Sequence, residues 1–288
     1  MTARIIDGRA LAKNVKATLA SRIERLRACD TPVRLDAILV GSDGSAAIYA
    51  RNQGTACREL GIEHVLHQLP DDARDDEIAG RVMLLNAEPL VHAVMVHLPL
   101  PSGVDTERIQ SMIDPVKDVE GVNPANIGNI VYGRRSLVPC TALAVMEMIE
   151  STGIDLPGTQ CVCVGASNIV GKPVVVLLMR DQATVISTNK YTPQLGSLTR
   201  TADVLISAAG TPGLITADMV KPGAVVIDVG ISRVEAPDGT RRTVGDVAFD
   251  EVAAVASAVS PVPGGVGPMT VAMLLRNTVE SASRRRQK

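Results

Sequence analysis

Gln160-Cys-Val-Cys-Val164, followed by Gly165-Ala-Ser-Asn-Ile-Val-Gly171, is the stretch that decides the fold. Its unbroken apolar run reads as a strand buried on both faces, as strands of parallel sheets are. A turn bracketed by Gly165 and Gly171 comes next, and a helix follows. A buried strand, a glycine turn and a helix N-terminus together present free backbone N–H groups, the arrangement that cradles phosphate. The spacing is not G-x-G-x-x-G, and any βα turn of a doubly wound sheet tends to carry a glycine. Taken alone, the motif fits a nucleotide site and a plain connection equally well. Cys161 and Cys163 alternate along the strand and read as small hydrophobes on one face.

On either side, strand-like and helix-like segments alternate, which predicts an α/β chain with largely parallel sheets. Helices are expected over Ala10–Ala28, Ala46–Leu60 and Asp75–Asn86, and strands over Leu35–Val40, His64–Leu69 and Val91–Val96. These make three βα units of a first domain. Asp114–Asn129 carries few periodic hydrophobics and reads as a linking region, followed by a helix over Leu143–Ser151. Beyond Val164, further strands are expected over Ala183–Ser187, Val204–Ser207 and Ala224–Val229, with a last helix from Thr270.

The chain has 288 residues, enough for two domains of ordinary size. Hydrophobic residues make up 46% but aromatics only 1%, so the core must be aliphatic. The scarcity of aromatics argues against a stacking platform for nucleic acid, and a formal charge of −2 argues against a large basic surface. Only Arg284-Arg285-Arg286-Gln287-Lys288 is strongly basic, and it reads as a solvated end. Five cysteines without paired metal-ligand spacing, and no signal peptide, suit a reducing cytoplasm. No apolar run reaches membrane-spanning length.

Ser260-Pro-Val-Pro-Gly-Gly-Val-Gly-Pro-Met-Thr270 holds three prolines and three glycines in eleven residues. That composition predicts neither helix nor sheet interior. Its apolar company predicts a rigid loop whose glycines admit a ligand close to the backbone; a tight connector is the plainer reading. The string resembles the signature of the bifunctional methylenetetrahydrofolate dehydrogenase/methenyltetrahydrofolate cyclohydrolase family. Gly-Ala-Ser-Asn-Ile-Val-Gly-Lys-Pro173, Ser207-Ala-Ala-Gly-Thr-Pro-Gly213, Val226-Ile-Asp-Val-Gly-Ile-Ser-Arg233 and Gly245-Asp-Val247 resemble it too, and the likeness runs from Ile5-Ile-Asp-Gly8 to the final helix.

The resemblance implies a two-domain α/β fold. A Rossmann-like NADP domain, 139–269, would be inserted in an α/β folate-binding catalytic domain, 1–138 plus 270–288, with a cleft between them. It also implies a cytoplasmic homodimer acting on a folate-type small molecule, with no nucleic-acid or membrane partner and no metal. Gly165, Ala166, Ser167, Ile169 and Gly171 would form the cofactor turn, with Gly210 and Ile231 on neighbouring strand ends. Ser187-Thr-Asn-Lys190 lacks the acidic residue that grips an NAD ribose, and Lys190 would attract a 2′-phosphate, so NADP is expected. Pro261, Gly264 and Gly265 would approach the ligands.

On the folate side the chain departs from the family pattern. Tyr49, expected to stack on substrate, is present, but Gln53 occupies the position of a proton-handling lysine four residues on. His97 stands where a glutamine is usual, Glu120 replaces a pterin-holding aspartate, and Ala142 replaces a proline. Hydride transfer needs mainly proximity and orientation. Hydrolysis also needs proton transfer, which a neutral amide cannot supply. His97, with an unperturbed pKa of about 6.5, is one candidate base, and a polar filler is the other reading. The expected function is NADP-dependent oxidation of 5,10-methylenetetrahydrofolate to the methenyl form, with hydrolysis to 10-formyltetrahydrofolate if Tyr49, Gln53, His97 and Glu120 allow it. The rivals are a dehydrogenase without hydrolysis, an enzyme for a modified pterin, and a non-catalytic nucleotide-binding protein.

Overall fold

A computed structural model describes residues 2–41, 44–134, 136–235 and 239–285. The last three residues of the basic end, 286–288, lie outside the described residues. In chain order the first elements are β1 (Arg4–Ile5), α1 (Gly8–Arg27), β2 (Arg34–Val40), α2 (Gly44–Glu59), β3 (Glu63–Leu69), α3 (Asp75–Ala87) and β4 (Ala93–Val96). Three helices follow, α4 (Thr106–Met112), α5 (Pro124–Val131) and α6 (Cys140–Glu150). Next come β5 (Gln160–Val164), α7 (Gly171–Arg180), β6 (Thr184–Thr188), α8 (Leu195–Thr199), β7 (Val204–Ser207) and β8 (Val225–Asp228). The chain continues through β9 (Ser232–Glu235), β10 (Arg241–Val244), α9 (Phe249–Val252), β11 (Ala258–Val259) and α10 (Val266–Arg285).

These elements form two compact units, one of Met1–Lys13 with Thr141–Thr270, the other of Asn14–Cys140 with Val271–Lys288. The first unit is built on a parallel sheet in the order β1-β11-β8-β7-β5-β6. Its core is aliphatic, with Val162, Val164, Leu205, Val226 and Val259 buried against one another. β6 lies on one side of β5 and β7 on the other, so the connections leaving β5 and β7 diverge at their carboxyl ends and open a crevice there. The domain boundary expected from sequence places residues 1–13 elsewhere. Here β1 pairs with β11, and the Ile6 N–H donates to the Val259 carbonyl, so the amino terminus extends the six-stranded sheet.

The second unit holds the parallel sheet β3-β2-β4. β2 is central and its apolar residues are buried, with Ile38 packed among Ile78, Val82, Val94, Val96 and Ile109. Beyond β4 the sheet gains a single bridge, Val94 to Asp118.

Two expectations need correction. The linking region Asp114–Asn129 contains the start of α5, whose first turn is set by Asn123 accepting from the Ala125 N–H and by Pro124 at the first helical position. A helix of eight residues is too short to show apolar periodicity in sequence. The loop at 260–270 ends at Val266, because Pro268 falls in the first turn of α10, where a proline's missing N–H costs nothing.

Candidate active site

In the second unit, Ala46, Tyr49, Met95, Val96, His97, Leu98 and Glu120 line an open pocket of about 330 Å³. Each arrives for a local reason. Tyr49 projects from the first turns of α2, 44% exposed, its ring available for stacking. His97 follows β4, where its N–H donates to the Ile38 carbonyl and so extends the pairing with β2 by one residue. Its ring meets Tyr49 edge to face, centroids 6.2 Å apart. Gln53, one turn after Tyr49 on α2, is 2% exposed and does not line the pocket; its Nε2 donates to the Met95 Sδ at 2.8 Å.

Two buried polar atoms of residues lining this pocket, His97 Nε2 and Glu120 Oε2, have no hydrogen-bond partner among the described residues, and neither has Gln53 Oε1 behind its wall. Buried polar atoms are normally paired, and orphans grouped at one pocket mark a place shaped for a polar ligand. Burial sets their charge states. It pushes His97 down to about 4, with His64 adding a smaller effect, so its ring is neutral at pH 7 and a weaker base than an exposed imidazole. Glu120 is pushed up to about 8 by burial and by the neighbouring Asp118 carboxylate, against a hydrogen bond from the Val96 backbone. The Tyr49 hydroxyl is raised to about 12, by burial first and then by Glu120 and Cys140.

Glu120 stands on a tightly braced turn. Asp118 accepts from the backbone N–H groups of Gly121 and Asn123 and from Asn126 Nδ2. Gly121 has φ +68° and packs so closely on the Val138–Pro139 peptide that any side chain would collide. Lys117, 2% exposed, donates to the carbonyls of Leu85, Asn86 and Glu88, where the last turn of α3 leaves acceptors without helical partners. Asn277 on α10 donates to the Val119 and Val138 carbonyls at 2.8 and 2.9 Å, tying the turn to the segment just ahead of α6. Sequence reading missed Asn277. Its only signal was a polar residue inside an apolar helical stretch.

In the first unit, Gly165 and Gly171 meet at the carboxyl end of β5. Gly165 has φ +104° and lies against the Ala208 carbonyl, and a Cβ on Gly171 would overlap the Gly165 carbonyl oxygen. Ser167 is exposed, with its Oγ accepting from the Gly171 N–H at 3.4 Å. Ile169 is exposed beside it, and Lys172 Nζ is held by Asn168. Ala166 completes the turn. At the end of β6 the exposed Lys190 ammonium lies 4.9 Å above the Tyr191 ring, and 187–190 carries no carboxylate. These residues fit a nicotinamide dinucleotide: a glycine-lined cradle at a strand end, an exposed serine able to donate to phosphate, and an exposed cation at the end of β6.

Two buried aspartates shape the neighbouring strand ends. Asp246 accepts from Ser207 Oγ and from the backbone N–H groups of Ala209, Gly210 and Thr211, fixing the loop that carries Gly210. Asp228 accepts from the N–H groups of Gly230, Asp246 and Val247, and burial raises it to about 6. Ile231, 64% exposed, lines a pocket of about 150 Å³ with Pro261, Gly264, Gly265 and Arg9. The structure thus brings Ile231 and the Pro-Gly loop together. It groups Tyr49, His97 and Glu120 around the other pocket, with Gln53 behind its wall.

The chain matches the catalytic domain of tetrahydrofolate dehydrogenase/cyclohydrolase over residues 6–120 and the NAD(P)-binding domain of the same family over residues 139–286. It is 45% identical to the bifunctional protein FolD of Moorella thermoacetica, covering 99% of this chain and 100% of the relative. To the protein of that name from Bordetella bronchiseptica it is 46% identical, over 99% of each. The crystal structure of the bifunctional FolD enzyme from Campylobacter jejuni superposes with a TM-score of 0.94 at 39% identity, over 98% of this chain and 99% of that one. The Trypanosoma brucei FolD structure, complexed with NADP cofactor and inhibitor, gives 0.94 at 36% identity over the whole of both chains. With both domains matched and such identity along its whole length, the chain belongs to the tetrahydrofolate dehydrogenase/cyclohydrolase family.

Proposed function

We propose that this protein oxidises 5,10-methylenetetrahydrofolate to 5,10-methenyltetrahydrofolate with NADP and hydrolyses the product to 10-formyltetrahydrofolate. The observation that carries the reading is the pocket at the end of β4, where Tyr49 offers an aromatic face and buried polar atoms of His97 and Glu120 lack partners. A flat, polar-edged pterin satisfies both requirements. Gly165, Ala166, Ser167, Ile169 and Gly171 would hold the dinucleotide, Gly210 and Ile231 would border it, and Lys190 would meet its 2′-phosphate. NADP, when bound, accepts the hydride that oxidation releases. The protein's share of that step is placement. Tyr49 stacks on the substrate, Glu120 and His97 fix its polar edge, and Pro261, Gly264 and Gly265 offer a backbone surface against ligand.

The family and the structures similar to this chain support both activities. Formation of NADPH from methylenetetrahydrofolate, followed by its absorbance, tests the first. Conversion of methenyl to formyl product above the uncatalysed rate tests the second, and lasting accumulation of methenyl product would mark a dehydrogenase alone. NADP binding without either turnover would mark a binding protein or a different pterin substrate. NADP rather than NAD is expected to give the higher kcat/KM, and Lys190→Ala to narrow that ratio about tenfold, the scale of one exposed phosphate contact.

The reading also places the enzyme in the cytoplasm as a homodimer. Cys57, Cys140, Cys161 and Cys163 are buried free thiols, which a reducing compartment preserves. Met83, Leu84 and Leu90, exposed on and just after α3, supply apolar surface that a second copy would cover. Light scattering on the purified protein measures the assembly. Among the described residues no helix is long and apolar enough to cross a membrane, and no group of side chains has the makings of a metal site.

A further inference from the structure

We propose that Glu120 is the residue that takes and returns the proton during hydrolysis at the Tyr49–His97 pocket, an assignment that rests on the folate reading above. Three side chains lining that pocket can exchange a proton at all: Tyr49, His97 and Glu120. Gln53 is a neutral amide engaged with Met95 and set behind the wall. The Tyr49 hydroxyl keeps its proton far beyond neutral pH, and the buried His97 ring is already neutral and binds a proton weakly. Glu120 alone presents a group of suitable strength: a carboxyl whose Oε2 is buried and without a partner. The braced turn of Asp118, Gly121 and Asn277 holds it in place.

Other groups facing it come from several elements. Asp118 lies on its own turn, Tyr49 on α2, His97 beyond β4 and Cys140 at the start of α6, while Arg276 of α10 acts on Cys140. Lys117 points away, its ammonium taken up by the end of α3. The net surroundings are apolar and anionic, so the carboxyl holds a proton tightly enough to return it and loses it near neutrality.

The step balances as follows. Water oxygen bonds to the methenyl carbon while one water proton passes to the Glu120 carboxylate. The carbon–N5 bond then breaks as N5 takes that proton back. The remaining hydroxyl proton leaves to solvent, giving the 10-formyl group. Nothing is oxidised or reduced, and one proton is released overall.

The test compares wild type, Glu120→Gln, Glu120→Asp and His97→Asn, measuring hydrolysis and oxidation as kcat and KM from pH 6 to 9.5, with cooperative urea unfolding as a check on folding. In the wild type, hydrolytic kcat is expected to rise with pH to a plateau, with an apparent pKa near about 8. Glu120→Gln is expected to lower it roughly a hundredfold or more and erase the rise, a loss at least about tenfold greater than the one it causes in oxidation kcat. Glu120→Asp should keep the rise at a reduced kcat, and His97→Asn should keep it also. The proposal is overturned by Glu120→Gln hydrolysing within about threefold of wild type, by losses confined to KM or equal in both reactions, or by a rise that vanishes only in His97→Asn. Oxidation without any hydrolysis in the wild type would overturn it and leave the dehydrogenase intact. Absence of both activities in the wild type would overturn the folate reading with it.

Discussion

Glu120 and His97 line the same pocket, and the same burial drives their proton affinities in opposite senses, because desolvation disfavours whichever form is charged. Each shift is also a statement about stability. Glu120 ordinarily titrates at 4.5 and is raised to about 8 in the fold, so between those values the folded state holds more protons than the unfolded one. Stability therefore falls as pH rises through that window. His97, lowered from 6.5 to about 4, acts in reverse and only below pH 6.5; Asp228, raised from 3.8 to about 6, is spent by pH 6. From pH 6.5 to 8 the Glu120 slope is therefore free of both. Urea midpoints measured across that range are expected to decline for the wild type and to stay flatter for Glu120→Gln. A parallel decline in both would show that the carboxyl is not held protonated. Gln53→Lys is a second case at this scale. A lysine at a site 2% exposed would bury an ammonium beside a thioether, so we expect a loss of about 1–3 kcal/mol in denaturant unfolding.

The elements matter here mostly through their ends. Lys117 is one side chain closing the carboxyl end of α3 while standing three residues before Glu120, so helix and site share an anchor. Lys117→Met keeps the stem but removes the ammonium from three carbonyls. It is expected to cost about 2–4 kcal/mol by denaturant unfolding and to raise the KM for folate substrate. In the nucleotide unit the strand ends are held by carboxylates instead. Asp246→Asn replaces an acceptor of four hydrogen bonds by an amide with one oxygen, setting its NH2 against backbone N–H groups. Calorimetric NADP affinity is expected to weaken about tenfold or more, with the folate pocket's binding little changed. Most elements were legible because strands such as β4 are apolar throughout and helices such as α1 run for several turns. The short pieces were not. β1 and β11 have two residues each, and α5 is defined by a cap and a proline rather than by a repeat.

Across the whole chain, the backbone passes between the two compact units three times, near residues 13, 140 and 270, so neither unit is a continuous segment. The final helix is structural cement for the folate unit. Asn277, Thr278 and Ser281 are buried on it, and the Ser281 hydroxyl, with its single proton, lies within hydrogen-bond reach of the His92 and Val116 carbonyls. A chain ending at residue 270 is therefore expected to lose the cooperative unfolding of that unit, seen as a missing transition in calorimetry, and to lose Tyr49-dependent substrate binding. The sequence by itself determined the class of fold, and its likeness to the family pointed to NADP, to the expected phosphate turn and to the positions at which the folate site departs from the family pattern. The first follows from local composition and alternation, the others from motifs contiguous in the chain that resemble those of the family. Only the tertiary structure decided that Arg4–Ile5 joins the six-stranded sheet, that Gln53 lies behind the pocket wall, and that Asn277 and Lys117 brace the Glu120 turn. It also set the proton affinities of His97 and Glu120 in opposite senses. Proton affinity depends on burial and on neighbours distant in the chain, and no window of sequence contains them.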